Sequence, residues 1–384
     1  MRILHIISSG GMYGAESVIL NLSRTLNEQG HTSLLGIFSN SSNPNLQLHD
    51  RALAEGIDSH LIPCNGQIDR TVPASIRALA ASSGADLIHA HGYKADVYAY
   101  LAMRNTSIPL VSTCHTWYDD NRLVWLYGVI DRRVLRQYSA VVSVSDDVTW
   151  RLLASGVAAN RIHFIRNGID LRPFTNPAPS LRHLAVPNGV LVGWVGRLTY
   201  DKGPDIFLRA IAKVRPQFPD TRYILVGEGP YRPEVERLVT DLALGDVVHL
   251  LGQLQDMPSV YASCDLLASS SRQEGLPMAV LEGMATSRPW IATSVGAVPL
   301  VIRNGANGIL IPSEDVQGLA NNLARLIANP DERAVLGAAA RLLTESEFSA
   351  PRMAADYLCV YGTAVDAQRD FIGDAGKVPT GGTT

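Results

Sequence analysis

Cysteine is scarce in this chain, with four in 384 residues: Cys64, Cys114, Cys264 and Cys359. They are far apart and make no C-x-x-C pair, which argues against a disulfide framework or a cysteine metal site and fits a reducing cytoplasm. No uninterrupted apolar stretch approaches about 18 residues, so no spanning helix is expected. Residues 1 to 8 lack the basic region, long apolar core and small-residue cleavage site of a signal peptide. A soluble, cytoplasmic protein follows, or one resting on a membrane surface. Charge of one sign is missing too: the net charge is −3 and the pI about 6.4. Without a basic field, nucleic acid is not expected as a partner. Asp-x-Asp, a common frame for a divalent ion, occurs nowhere.

What the chain does have is alternation. Ile3–Ile7 is an apolar run of the kind that fills a buried parallel strand. Ser8-Ser9-Gly10-Gly11, then Gly14 and a helix to about Gln29, follow it. Such a unit offers a ligand the amides of a helix start. Gly10 and Gly11 read as a close-approach loop, or more plainly as a structural turn. The glycines do not spell G-x-G-x-x-G. The second strand ends Ile37-Phe38-Ser39-Asn40 with no acid for a ribose, which argues against a dinucleotide-dependent dehydrogenase. Strands expected at 57–62, 86–90, 110–114, 140–144 and 162–165 alternate with helices near 46–55, 72–83, 93–105, 121–137 and 146–155. That is an α/β, doubly wound parallel sheet, whose crevice lies at the carboxyl ends of the strands.

Polar residues at those ends are candidates. His89 and His91 close one strand, and His115 follows another, just ahead of Thr116-Trp117. H-x-H spacing suits a metal, but no third ligand stands nearby in sequence, so none is expected. His91 and His115 are read as facing the crevice, against the plainer reading of hydrogen-bonded strand-end histidines. The helix after Trp117 mixes aromatics with Arg122, Arg132, Arg133 and Arg136. It is either core-packed with a solvated face or a surface for anionic lipid.

Asn167-Gly168-Ile169-Asp170, then Pro173, Pro177, Pro179 and Pro187, break the pattern, so a boundary near 170 and a linker to about 188 are expected. A second βα series starts at Val190–Val195 and leads into Gly196-Arg197-Leu198 and Lys202-Gly203. Two domains of similar size imply a cleft between facing sheets. Arg197 and Lys202 could neutralise a diphosphate, one by its planar fork and the other as a mobile point charge, or could be plain surface cations. Residues 274 to 290, Glu-Gly-Leu-Pro-Met-Ala-Val-Leu-Glu-Gly-Met-Ala-Thr-Ser-Arg-Pro-Trp, carry the strongest signal. Pro277 suits the first position of a helix. Its opening amides, around Gly275, Leu276, Pro277 and Met278, can hold an anion, and Glu274 and Glu282 can accept from hydroxyls. Taken alone, both glutamates could be solvated surface acids.

Taken together, these motifs resemble those of the family-4 retaining glycosyltransferases of the GT-B fold. The match rests on Glu274-x₇-Glu282 inside E-G-L-P-M-A-V-L-E-G-M-A-x-x-R-P, on Gly196-Arg197-Leu198 with Lys202-Gly203, on Val226-Gly227-Glu228-Gly229-Pro230 and on Asn167-Gly168-Ile169-Asp170. The resemblance implies two Rossmann-like domains: an N-terminal acceptor-side domain over 1–170, completed by a last helix at 351–365, and a nucleotide-sugar domain over 171–350. A disordered tail is expected over 366–384. It further implies that Arg197 and Lys202 bind the donor diphosphate and Glu282 the ribose. Glu274, with the amides of Gly275 to Met278, would hold the sugar and phosphate, and Gly11, with Gly10 in the same loop, would approach the diphosphate or acceptor. His115 resembles the active-site histidine, with His91 and Trp117 as acceptor-side candidates. The implied enzyme is metal-independent and cofactor-free. It moves a hexose from a UDP- or GDP-sugar to a glycan, with a lipid-linked precursor as acceptor and peripheral contact with the inner face of the cell membrane. The rivals are a nucleotide-sugar epimerase or phosphorylase on the same fold, and a non-catalytic partner subunit.

Overall fold

The computed structural model describes the chain except residues 13, 42–43, 67, 116–121, 276 and 376–384, and except the side chains of 122–127 and 370–375. The chain divides into two units, Met1–Gly168 with Ala350–Thr384, and Ile169–Ser349.

The first unit is built on a seven-stranded sheet: β1 (Arg2–Ile7), β2 (Thr32–Ser39), β3 (Asp58–Pro63), β4 (Leu87–His91), β5 (Leu110–Cys114), β6 (Ala140–Ser143) and β7 (Ile162–Phe164). Its order is β3-β2-β1-β4-β5-β6-β7, and every pairing is parallel. Helices cover both faces, so β4 and β5 are buried along their whole length, which is why they read as continuous rather than alternating runs. The exceptions are informative. His5, His89, His91, Ser112 and Thr113 are polar, yet all are buried. The strand order reverses between β1 and β4, and that reversal opens a crevice at their carboxyl ends. The Ser8–Gly11 loop and His91 lie there.

The helix Ala350–Ala375 also belongs to this unit, packing on the helix Gly14–Glu28 and on β5. Sequence reading ends it at 365 and expects disorder from 366. It continues instead through Ala375, because Gly373 alone does not stop a helix and the first proline comes at Pro379. Residues 376–384 lie outside the described residues. The helix Arg122–Leu135 turns Asp131, Val134 and Leu135 into the core of the unit.

In the second unit, β8 (Leu191–Val195), β9 (Arg222–Val226), β10 (Val248–Gly252), β11 (Leu266–Ser269), β12 (Trp290–Thr293) and β13 (Ile309–Ile311) form a parallel sheet. Its order is β10-β9-β8-β11-β12-β13, which puts the reversal between β8 and β11. The expected linker is a correction. The boundary falls at 168/169, and the stretch to 188 belongs to this unit. Ile169 donates its N–H to the Phe348 carbonyl, Phe174 is buried, and Leu171, Leu181 and Leu184 pack against the core around Tyr261 and Trp290. The prolines interrupt regular structure, but the apolar side chains between them still bury area.

Candidate active site

In the second unit, the site forms where two loops leave the switch point. The loop after β8 makes a short turn at Tyr200–Lys202 and is closed by Gly203. Gly203 has φ +63°, and a Cβ there would stand 2.1 Å from the Ser270 carbonyl oxygen. Only glycine allows both the left-handed turn and that approach. The loop after β11 is zipped to it. Arg272 and Gln273 donate their backbone N–H groups to the Asp201 carbonyl, and the Ser270 hydroxyl donates to the Gly203 carbonyl at 2.6 Å. Arg272 clasps Asp205 through two bonds of 2.8 Å, pairs with Glu314 and stacks its guanidinium 3.9 Å over the Tyr200 ring. Hydrogen bonding to Asp205 is the first cause holding its pKa above the usual arginine value.

This zipper brings two expected site residues together. Lys202 Nζ lies 2.7 Å from Glu274 Oε2, and the Glu274 side chain is only 10% exposed. The Ser271 hydroxyl donates to the other carboxylate oxygen at 2.7 Å. Glu274 is therefore held in one orientation by two partners. Its backbone sits against Gly296, where a Cβ would meet the Glu274 carbonyl oxygen at 1.8 Å.

Eight residues on, Glu282 projects from the helix Met278–Ala285. The buried Tyr261 hydroxyl donates to its Oε2 at 2.8 Å. Burial pushes the carboxyl up to about 7, against the opposing pull of that bond. Pro277 is the N-cap residue, with ψ 91°, not the first helical one. Its carbonyl accepts from Val280 and Leu281. The amides of Met278 and Ala279 have no acceptor among the described residues, as helix starts leave them. Arg197 is exposed. Gly275 is also exposed, and Leu276 lies outside the described residues.

The first unit holds a second constellation. His5 faces His89 across the β1–β4 register. His5 Nδ1 is 3.0 Å from His91 Nε2, and His91 Nδ1 is 3.4 Å from His115 Nε2. His89 is bonded on both sides, to the Tyr361 hydroxyl at 2.7 Å and to Thr113 Oγ1 at 2.7 Å. Thr113 in turn bonds the Tyr357 hydroxyl at 2.9 Å. Burial holds every one of these imidazoles neutral: His5 falls to about 3, His115 to about 4, and His89 and His91 well below 6.5. His91, at the crevice end of β4, is buried and bonded between His5 and His115 rather than exposed. Sequence spacing offered no third ligand for the H-x-H pair, yet His5 supplies one in space. The three histidines' ligand atoms lie within 4.8 Å of one another. In the N-terminal loop, the Ser9 hydroxyl lies 2.9 Å from Glu16 Oε1 and accepts from the Gly11 N–H. Gly11 is buried, Gly10 is exposed, and Trp117 lies outside the described residues.

Four contributors escaped sequence reading. Arg272 and Ser271 had a signal, since each stands within three residues of Glu274. His5 had one too, as the lone polar residue inside the apolar run that follows Arg2. Tyr261 had none, because only the packing of its helix against Met278–Ala285 brings it to Glu282.

Comparison with known proteins gives concordant results. Residues 12–172 match the family model described as "Glycosyltransferase Family 4", and residues 189–329 match "Glycosyl transferases group 1". The D-inositol 3-phosphate glycosyltransferase of Salinispora tropica is 29% identical over 330 residues, covering 77% of this chain and 68% of that one. The protein of the same name from Xylanimonas cellulosilytica is 28% identical, covering 81% and 79%. Among solved structures, Anabaena HepE in complex with UDP and glucose superposes with a TM-score of 0.81 at 24% identity, covering 94% of this chain and 100% of that chain. The lipopolysaccharide outer core galactosyltransferase WaaB gives 0.73 at 16%, covering 94% and 99%.

Proposed function

Because this chain belongs to the family-4 glycosyltransferases and has the GT-B fold, we propose that it moves a hexose from a UDP- or GDP-sugar to a glycan hydroxyl with the anomeric configuration retained. The reading rests chiefly on the Lys202–Glu274 ion pair, which stands just ahead in sequence of a helix whose first amides, those of Met278 and Ala279, are open among the described residues and which carries Glu282. A nucleoside-diphosphate sugar offers that set its complement. The diphosphate is an anion for Arg197, Lys202 and the helix start, while its ribose and sugar carry hydroxyls for Glu282 and Glu274.

The roles follow from charge. Lys202 shares itself between Glu274 and the diphosphate, and Arg197 adds its fork, so fixed cations and amides stabilise the departing phosphate with no divalent ion required. Glu274, with Gly275 to Met278, orients the sugar. Gly10 and Gly11 let the diphosphate or acceptor approach the backbone, His115 bonds a hydroxyl of the transferred sugar, and Trp117 serves the acceptor. The bond from C1 to the phosphate oxygen breaks as the acceptor oxygen bonds C1 on the same face. The acceptor proton passes to the leaving phosphate oxygen.

The acceptor in this reading is a lipid-linked glycan, met from the cytoplasm at the inner membrane face. Among the described residues, no helix is long and apolar enough to cross a membrane. The names of the relatives favour a second acceptor, inositol 3-phosphate. The deciding experiment offers UDP- and GDP-hexoses with each acceptor, reads nucleotide release, and determines the product anomer by NMR. Transfer with retention that is lost in Glu282→Ala supports the reading. An inverted product, or no nucleotide bound or released by the wild type, overturns it.

A further inference from the structure

The histidines at the switch point of the first unit are wired in series. His5 Nδ1 meets His91 Nε2 at 3.0 Å, and His91 Nδ1 meets His115 Nε2 at 3.4 Å. The inner end of the chain, His5 Nε2, is buried with no partner among the described residues. At the outer end, His115 Nδ1 has no partner among the described residues and His115 is only partly buried. A metal does not account for the cluster as built, because both nitrogens of His89 are already taken by Tyr361 and Thr113.

Neutral imidazoles joined this way have two proton orders. In the inward order, His115 Nε2–H donates to His91 and His91 Nε2–H donates to His5, which strands an N–H on His5 Nε2 in the core. In the outward order, His5 Nδ1–H donates to His91 and His91 Nδ1–H donates to His115 Nε2. Only a bare lone pair is then left at His5. Orphaned buried N–H groups are the rarer and costlier defect, so the outward order wins. We infer that His5 and His91 are positioning residues that fix His115 as the Nδ1–H tautomer, a hydrogen-bond donor toward a hydroxyl oxygen of the sugar. This rests on the role proposed for His115 and adds that it donates and does not act as a base. Chain order alone hid it, because His5 lies inside β1, His91 ends β4 and His115 follows β5.

The test reads the tautomer directly, without substrate, by long-range ¹H–¹⁵N correlation of histidine-labelled full-length protein, with His115 assigned by its loss in His115→Gln. The expected signal is a proton on Nδ1. His5→Asn keeps an N–H donor near the old Nδ1 and should retain that signal. His5→Leu has no donor and should shift His115 toward the Nε2–H form. In transfer assays, kcat should fall roughly tenfold to a hundredfold in His5→Leu, the scale on which losing an orienting partner acts. His5→Asn should recover most of it, with nucleotide affinity unchanged in both. An Nε2–H His115 in the wild type, or an Nδ1–H His115 unmoved by His5→Leu, overturns the inference. Because the spectrum needs no donor, a chain inactive on every sugar would refute the proposed function while leaving the relay intact.

Discussion

Acid should loosen the first unit before the second, and His5 is the place to measure it. His5, His89 and His91 are almost wholly buried, and burial keeps all three neutral in the folded chain. Unfolded, each would titrate near 6.5. A depressed folded pKa means stability that is present above 6.5 and lost as pH falls toward the folded value. Between pH 7.0 and 5.5 the unfolded state gains about two-thirds of a proton per histidine, which costs the fold about 1.3 kcal/mol each, or about 4 kcal/mol for three. Asp96 works the other way. Desolvation raises this buried carboxyl, helped by the neighbouring Asp131, and as pH falls through the same interval it returns up to about 2 kcal/mol. The net slope is therefore a difference, and a variant is needed to isolate one term. His5→Met removes one titrating group at a site whose Nε2 already lacks a partner among the described residues. The assay is hydrogen-exchange protection of peptides spanning β1, β4 and β5, corrected for intrinsic exchange, at the two pH values. The variant should be less stable at pH 7.0, but its loss on acidification should be about 1.3 kcal/mol smaller than that of the wild type. An unchanged pH dependence in His5→Met would refute the claim that His5 is held neutral by burial.

Three further outcomes are expected. With the Glu282 carboxyl near 7, hydroxyl donors on a nucleotide need its ionised form, so UDP or GDP affinity should fall about tenfold from pH 8 to pH 6. Titration calorimetry should find that dependence flattened in Glu282→Gln. Asp96→Asn should gain on the wild type by about 1.4 kcal/mol per pH unit as pH rises from about 4, because a raised carboxyl is a cost that grows with pH. Denaturant unfolding at pH 5 and 7 checks the sign. Gly203→Ala must put a Cβ against the Ser270 carbonyl at φ +63°. It should cost about 2–4 kcal/mol and weaken nucleotide binding, read by thermal shift with and without UDP.

Strand and helix order was legible because the central strands of both sheets are buried along their length and read mostly as apolar runs. The Glu274–Glu282 stretch was legible because a proline, two carboxylates and glycines sit within a few turns of chain. Partnership was not. Lys202 and Glu274 are 72 residues apart and meet only because β8 and β11 are neighbours in the sheet. His5 looked like an oddity in an apolar strand until the parallel register set it beside His89. The stretch from 170 to 188 misled for a related reason. Prolines announce an end to regular structure, but they do not forbid packing, and Phe174 is buried all the same.

The chain leaves the first unit at Gly168 and re-enters it at Ala350, so the order of synthesis differs from the order of assembly. A ribosome would release the whole of Ile169–Ser349 before the helix that supplies Tyr357 and Tyr361 emerges. Until then Thr113 and His89 lack the hydroxyls that bond them. The nascent first unit must wait, with an open flank beside β5, for the last helix to emerge. The inserted unit has its two ends joined by the Ile169–Ser349 bridge and has its complete sequence when it emerges.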